Sequence, residues 1–188
     1  MSRVCVFFAE GFEEVEALTV VDLLRRAKVR TDMVSISGDL FVTGRSGITV
    51  KADVLYENAD PENADMLVLP GGMPGVKYLG AFEPLTELLS RFNAEGRYIS
   101  AICAAPMVFG ALGIVRGRKA TIYPGMEEEL KGADVTVRDE VVTDGHVTTS
   151  RGAGTAIPFA LRLIEILCGA ETAENVKKGI VFQTTPVV

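Results

Sequence analysis

Tyr98-Ile99-Ser100-Ala101-Ile102-Cys103-Ala104-Ala105-Pro106 decides the fold, because within this stretch an apolar strand ends and a helix begins. Tyr98 to Ser100 reads as the end of a buried strand, and the small, Ala-rich run through Ala111 reads as the start of a helix. A cysteine at that junction lies near the unpaired N–H groups of the first helical turn, whose partial positive charge favours thiolate over thiol. The expectation is therefore a pre-activated Cys103. Small residues at Ala101 and Ala105 stand where a nucleophile elbow carries glycines, which lets the backbone fold tightly beneath the nucleophile. A cysteine seen alone reads equally as a packing residue, since free cysteine is among the most buried side chains.

Two other segments change that balance. Phe8-Ala9-Glu10-Gly11-Phe12-Glu13-Glu14-Val15-Glu16 follows the apolar strand Val4 to Phe8, and Pro70-Gly71-Gly72-Met73-Pro74-Gly75 follows the strand Met66 to Leu69. Each leaves its strand as the Cys103 turn leaves its own. In open parallel α/β sheets such strand ends line the ligand crevice, so the three loops are expected to converge. Gly71 and Gly72 permit positive φ and close approach of backbone N–H groups to an anion or oxyanion, although a Gly-Gly pair is as often a plain turn. Glu13 and Glu14 suit the first turn of a helix and are expected to be solvated there. Glu16, with Val15, Ala17 and Leu18 around it, is expected to be drawn inward.

Working outward, strands and helices alternate. Expected strands lie at Val4 to Phe8, Thr31 to Ile36, Met66 to Leu69 and up to Ser100, with short ones at Phe41 to Thr43, at Ile48 to Val50 and near Ala120, Val135, Val141 and Val147. Expected helices run over Glu14 to Arg26, Pro84 to Asn93, the elbow segment, Thr155 to Leu167 and Thr172 to Lys178. Asn58 to Asp65 and Gly125 to Asp134 read as polar loops. Such alternation implies a mostly parallel sheet covered on both faces, joined by right-handed crossovers. No repeat or linker divides the chain, which reads as one domain over residues 1–188.

Composition excludes several classes. Of 188 residues, 48% are hydrophobic and 23% charged, enough apolar surface for a substantial core. A net charge of −6, with no Lys/Arg stripe interleaved with aromatics, argues against nucleic-acid binding. The apolar run Val4 to Ala9 stops at Glu10, so neither a signal peptide nor a membrane span is expected. Three cysteines without metal-ligand spacing fit a reducing, cytoplasmic setting, with Cys5 in the core and Cys168 near a helix end. No metal or cofactor is expected.

Taken in order, Gly11-Phe12-Glu13-Glu14-Val15-Glu16-Ala17, Leu69-Pro70-Gly71-Gly72, Ala101-Ile102-Cys103-Ala104-Ala105-Pro106 and Thr149-Ser150-Arg151-Gly152-Ala153-Gly154-Thr155 resemble the DJ-1/ThiJ/PfpI superfamily, on its DJ-1/ThiJ branch. The resemblance spans nearly the whole length and implies a flavodoxin-like three-layer α/β/α sandwich. It also implies that Cys103 is the reactive cysteine, Glu16 its carboxyl partner, Gly72 and Ala104 the N–H donors beside the sulfur, and Ser150 a residue lining the same pocket. Members are usually homodimers, some with arginines of both subunits near the site. Arg26 and Arg45 resemble those arginines in position.

The sequence departs from the family in one respect. Many relatives carry a histidine in a Thr-His-Pro stretch near the cysteine, whereas this chain reads Ile122-Tyr123-Pro124. Its single histidine, His146, lies in a turn entering a strand, with no carboxylate partner in sequence. Ala104 stands where the PfpI peptidases place a histidine, and Val147-Thr148 follow His146 where amidotransferases need a glutamate. Both of those chemistries are disfavoured. A neutral, burial-raised Glu16 donating to a Cys103 thiolate suits attack on a 2-oxoaldehyde, with Gly72 and Ala104 receiving the oxyanion. It suits oxidation of the sulfur to sulfinic acid as well. The resemblance accordingly implies either a glyoxalase or deglycase acting on small reactive carbonyls, or a redox sensor or chaperone.

Overall fold

The computed structural model describes residues 2–182. In chain order the elements are β1 (Arg3–Phe8), α1 (Glu14–Arg26), β2 (Arg30–Ser35), β3 (Phe41–Thr43), β4 (Thr49–Lys51), β5 (Val54–Leu55), β6 (Met66–Leu69), α2 (Gly75–Ala81), α3 (Glu83–Glu95), β7 (Tyr98–Ile102), α4 (Pro106–Ala111), β8 (Lys119–Ala120), β9 (Asp134–Val135), β10 (Val141–Asp144), β11 (Val147–Ser150), α5 (Ala156–Cys168) and α6 (Ala170–Gly179). Expected elements recur with boundaries shifted by a few residues. Helix α2 and strand β5 were not expected, since Gly-Val-Lys-Tyr-Leu-Gly-Ala carries two weak helix formers and β5 is only two residues long. The loops at 58–65 and 125–134 hold short 3₁₀ turns.

Seven strands form one sheet in the order β10-β11-β7-β6-β1-β2-β5, parallel throughout except for β10 against β11. Strand β1 lies inside the sheet, and its alternation explains the two cores. Val4, Val6 and Phe8 pack on one face with residues of α1, α5 and α6, while Cys5 and Phe7 pack on the other with residues of α3 and α4. Each fully buried Val or Phe on that strand contributes about 1.5–3 kcal/mol relative to exposure. The result is the expected three-layer sandwich.

Chain direction leaves β1 toward β2 on one side and returns at β6 on the other, which opens a crevice at their carboxyl ends. Val6 is in register with Val68, Leu69 with Ala101, and Ile102 with Ser150, so β1, β6, β7 and β11 end at one edge. The four loops that carry the sequence motifs leave from that edge. Beside it, β3 and β4 form an antiparallel hairpin.

Candidate active site

Cys103 directly follows β7, and its φ of 64° is in the left-handed region. For a residue with a side chain that conformation costs about 1–2 kcal/mol and persists only where the surroundings enforce it. Two backbone bonds do so: the Cys103 N–H donates to the Ser150 carbonyl at 2.9 Å, and the Cys103 carbonyl accepts the Tyr123 N–H at 2.9 Å. Ala104 and Ala105 beneath it are buried, as the need for small residues requires. Sulfur is thus held half-exposed above a closed floor.

Glu16 reaches the sulfur from α1. It lies on the face that buries Val20, Leu23 and Leu24, which turns it inward, whereas its neighbour Val15 points out and is 53% exposed. Helical spacing orients Glu16, and the apolar character of its sequence neighbours does not. One carboxylate oxygen, Oε2, accepts the Gly71 N–H at 2.8 Å, while Oε1 is buried without a nitrogen or oxygen donor. A Cβ on Gly71 would stand 2.5 Å from Glu16 Oε2, 2.6 Å from Cys103 Cβ and 3.1 Å from Sγ. Only glycine fits where carboxyl and thiol meet. At Gly72, φ is 94° and a Cβ would run into the Phe12–Glu13 backbone.

Electrostatics couple the thiol to the carboxyl. Burial pushes the Glu16 carboxyl up to about 7, against the lowering effects of Cys103 and of the Gly71 N–H. Burial likewise pushes the Cys103 thiol up to about 12; the nearby Glu16 charge adds to the rise, and the N–H groups of Ala104 and Gly72 oppose it. Helix α4 has only six residues and cannot offset that burial. Thiol and carboxyl are thus coupled, and the pair shares one negative charge near neutral pH.

Comparison with known proteins matches the chain over nearly its whole length. The model of the DJ-1/PfpI family matches residues 2–166. The chain belongs to the DJ-1/PfpI family. Protein DJ-1 homolog B of Arabidopsis thaliana is 35% identical over 98% of this chain, which spans only 42% of that protein's length. A protein of Pyrococcus abyssi named a deglycase is 31% identical over 88% of this chain and 99% of its own. The structure of oxidized Toxoplasma gondii DJ-1 superposes with a TM-score of 0.92 at 34% identity, covering 97% of this chain and 99% of that one.

Within this DJ-1/PfpI chain, the fold brings most of the expected residues together. Gly71, Gly72 and Ala104 surround the sulfur. Arg45 Nη1 pairs with Glu13 Oε2 at 3.4 Å on the rim. Ser150 requires a correction: its hydroxyl donates to the Glu140 carbonyl at 2.7 Å and meets Thr155 Oγ1 at 2.7 Å, so it is the Ser150 carbonyl that serves the site, by holding the Cys103 N–H. Arg26 ends α1 ten residues after Glu16, about 15 Å along the helix, and bonds Asp22 at 2.8 Å, away from Cys103 of its own chain. His146 bonds Asn93 at 2.9 Å, a structural contact.

Two residues escaped the reading of the sequence. Glu14, expected in solvent, is buried, and its Oε1 accepts N–H groups of Ser46 at 2.8 Å and Ile48 at 3.4 Å in the β3–β4 turn. Those donors lie thirty residues away and leave no trace near Glu14. Gly152, the second, adjoins both Tyr123 and the thiol. Its only sequence signal is the small-residue run Gly152-Ala153-Gly154.

Proposed function

We propose that this chain is a glutathione-independent glyoxalase or deglycase acting on 2-oxoaldehydes such as methylglyoxal and glyoxal, or on their adducts, with Cys103 as nucleophile and Glu16 as acid and base. The observation that carries the reading is a buried carboxyl raised to about 7 beside a thiol raised to about 12. A general base works best when its pKa lies near the operating pH, and an unreactive thiol needs one. The Glu16 carboxylate takes the thiol proton as sulfur adds to the aldehyde carbon. The carbonyl π pair moves to oxygen, where the N–H groups of Gly72 and Ala104 receive the charge. Protonated Glu16 then returns its proton to that oxygen, giving a hemithioacetal and restoring the carboxylate. Moving the proton from the former aldehyde carbon to its neighbour, with the hydroxyl proton passing to the neighbouring carbonyl oxygen, yields a 2-hydroxy thioester, and water releases the hydroxy acid and the free thiol.

The Pyrococcus relative named a deglycase supports this chemistry. Incubation with methylglyoxal, following D- and L-lactate, tests it, with Cys103→Ser as control; lactate formation that survives the substitution would refute it. Homodimers are part of the reading, supported by exposed Val15 on α1 and exposed Phe41 and Ile48 on or beside the β3–β4 hairpin. A single monomeric mass by light scattering at micromolar concentration would refute that part. Among the described residues no helix is long and apolar enough to cross a membrane, in keeping with a cytoplasmic role.

A redox reading has support of its own. The same N–H groups and a protonated Glu16 form a donor set for sulfinic oxygens, and a relative's structure is of an oxidized DJ-1.

A further inference from the structure

Beyond the acid and the thiol, one backbone position without a side chain adjoins the reacting atom. Gly152 is buried at the start of the loop after β11, with φ of 163°, an extended conformation open to any residue. A methyl group placed there would lie 3.5 Å from Tyr123 Cδ2, 3.8 Å from Cε2 and 4.0 Å from Cys103 Sγ. All three are ordinary contacts, so alanine would fit. What that methyl would take is the room between the tyrosine ring and the sulfur.

Both walls of this room are fixed by backbone. The Gly152 N–H donates to Thr155 Oγ1 at 3.2 Å, and its carbonyl accepts the Thr155 N–H at 2.8 Å, neither of which depends on a side chain at 152. Opposite, the Tyr123 N–H donates to the Cys103 carbonyl, and the Tyr123 carbonyl accepts the Met126 N–H at 3.0 Å. That segment is then pressed onto α4 at Gly110, where a Cβ would overlap the Glu129 carbonyl. Tyr123 is thereby tied to the elbow on one side and, through the segment that follows it, to α4 on the other.

We infer that Tyr123 and Gly152 form a slot beside Sγ that admits flat carbonyl compounds, and that Gly152 is the residue that limits the size of the group carried next to the reacting carbonyl. A 1,2-dicarbonyl is planar and can lie along the ring, whereas a side chain at 152 would push it off the sulfur. The substrate class rests on the glyoxalase reading; the slot itself does not.

The test compares the full chain with its Gly152→Ala variant in two assays. Cys103 is alkylated with iodoacetamide and with its bulkier N-phenyl analogue, and turnover is measured with glyoxal and phenylglyoxal. One methyl in a close-fitting pocket changes selectivity by at least about tenfold, so the bulky-to-small ratio should fall by that factor in both assays. Peroxide, small enough to pass, should oxidise Cys103 in the variant as in the parent. Equal slowing of both alkylating agents, or of neither, overturns the slot. Should the parent turn over neither dicarbonyl, the functional reading fails while the alkylation ratio still judges the slot. Tyr123→Ala, which removes the opposite wall without touching Gly152, should raise the same ratio; an unchanged ratio there overturns the slot even if Gly152→Ala does not fold.

Discussion

Glu14 and Glu16 stand two residues apart in the first turn of one helix, both buried, and their environments drive them in opposite directions. Glu14 points to the β3–β4 turn, where burial would raise its carboxyl but N–H groups of its own backbone, Ser46 and Ile48 outweigh burial and hold it below the usual range. Glu16 points to the elbow, has one backbone donor and a thiol for company, and is raised to about 7. Both side chains are inaccessible to solvent, but Glu16 lies deeper and has fewer N–H donors, and the two together decide which carboxyl is held charged and which is raised. A clamp and a proton carrier are thus built from the same side chain on the same helix turn.

The largest expected effect comes from removing the titrating member. Glu16→Gln keeps the volume and an acceptor for Gly71 but cannot carry a proton, so lactate formation should fall about 10²–10⁴-fold. The thiol should remain faster toward iodoacetamide than Cys5, which is wholly buried. Unchanged turnover would return Glu16 to the structural class of Glu14. If Tyr123→Phe alone abolished turnover, the acid/base role would pass to the tyrosine hydroxyl.

Stability separates the two carboxyls next. The folded-state value of Glu16, about 7, lies above its ordinary 4.5, so the folded chain holds the extra proton between those values and stability falls as pH rises across that window. The cost above pH 7 amounts to roughly 3 kcal/mol, which Glu16→Gln should recover in urea titrations at pH 8 but not at pH 4. Glu14 has the opposite sign. Its lowered value contributes stability that is present above the ordinary carboxylate range and lost as pH falls through the folded value. Glu14→Ala leaves two turn N–H groups without their acceptor, and should cost about 1–3 kcal/mol at pH 7, shrinking toward pH 3. A cost that grew on acidification would contradict the clamp.

A smaller effect concerns pH and rate. Turnover should rise with pH through about 7 as Glu16 ionises. Because Glu13 raises Glu16 and Arg45 lowers it, Glu13→Gln should move that limb to lower pH and Arg45→Gln to higher pH. Shifts of the same sign in both variants would separate the rim pair from Glu16.

How much of this was legible in the sequence differs between the two glutamates. The elbow, the convergence of the loops at the strand ends and the inward turn of Glu16 were legible in local patterns of apolar strands, glycine pairs and apolar neighbours, whereas the strand order came from the structure. The upward shift of Glu16 was anticipated from its apolar neighbours, whereas the burial of the sulfur is not visible in the sequence. Glu14 was misread for the same reason, since its donors belong to a hairpin thirty residues away. Ser150 and Arg26 were placed by motif; the first serves through its carbonyl, and the second stands at the far end of α1.

Alternating strands and helices, the small residues under Cys103 and the bare glycines at 71 and 72 are properties of contiguous residues, and the sequence alone determined them through periodicity and steric need. Proton affinities, the partner of Glu14 and the slot between Tyr123 and Gly152 were decided only by the tertiary structure. Each depends on which groups, distant along the chain, replace the water that folding removes. That replacement fixes whether a buried charge is held or given up.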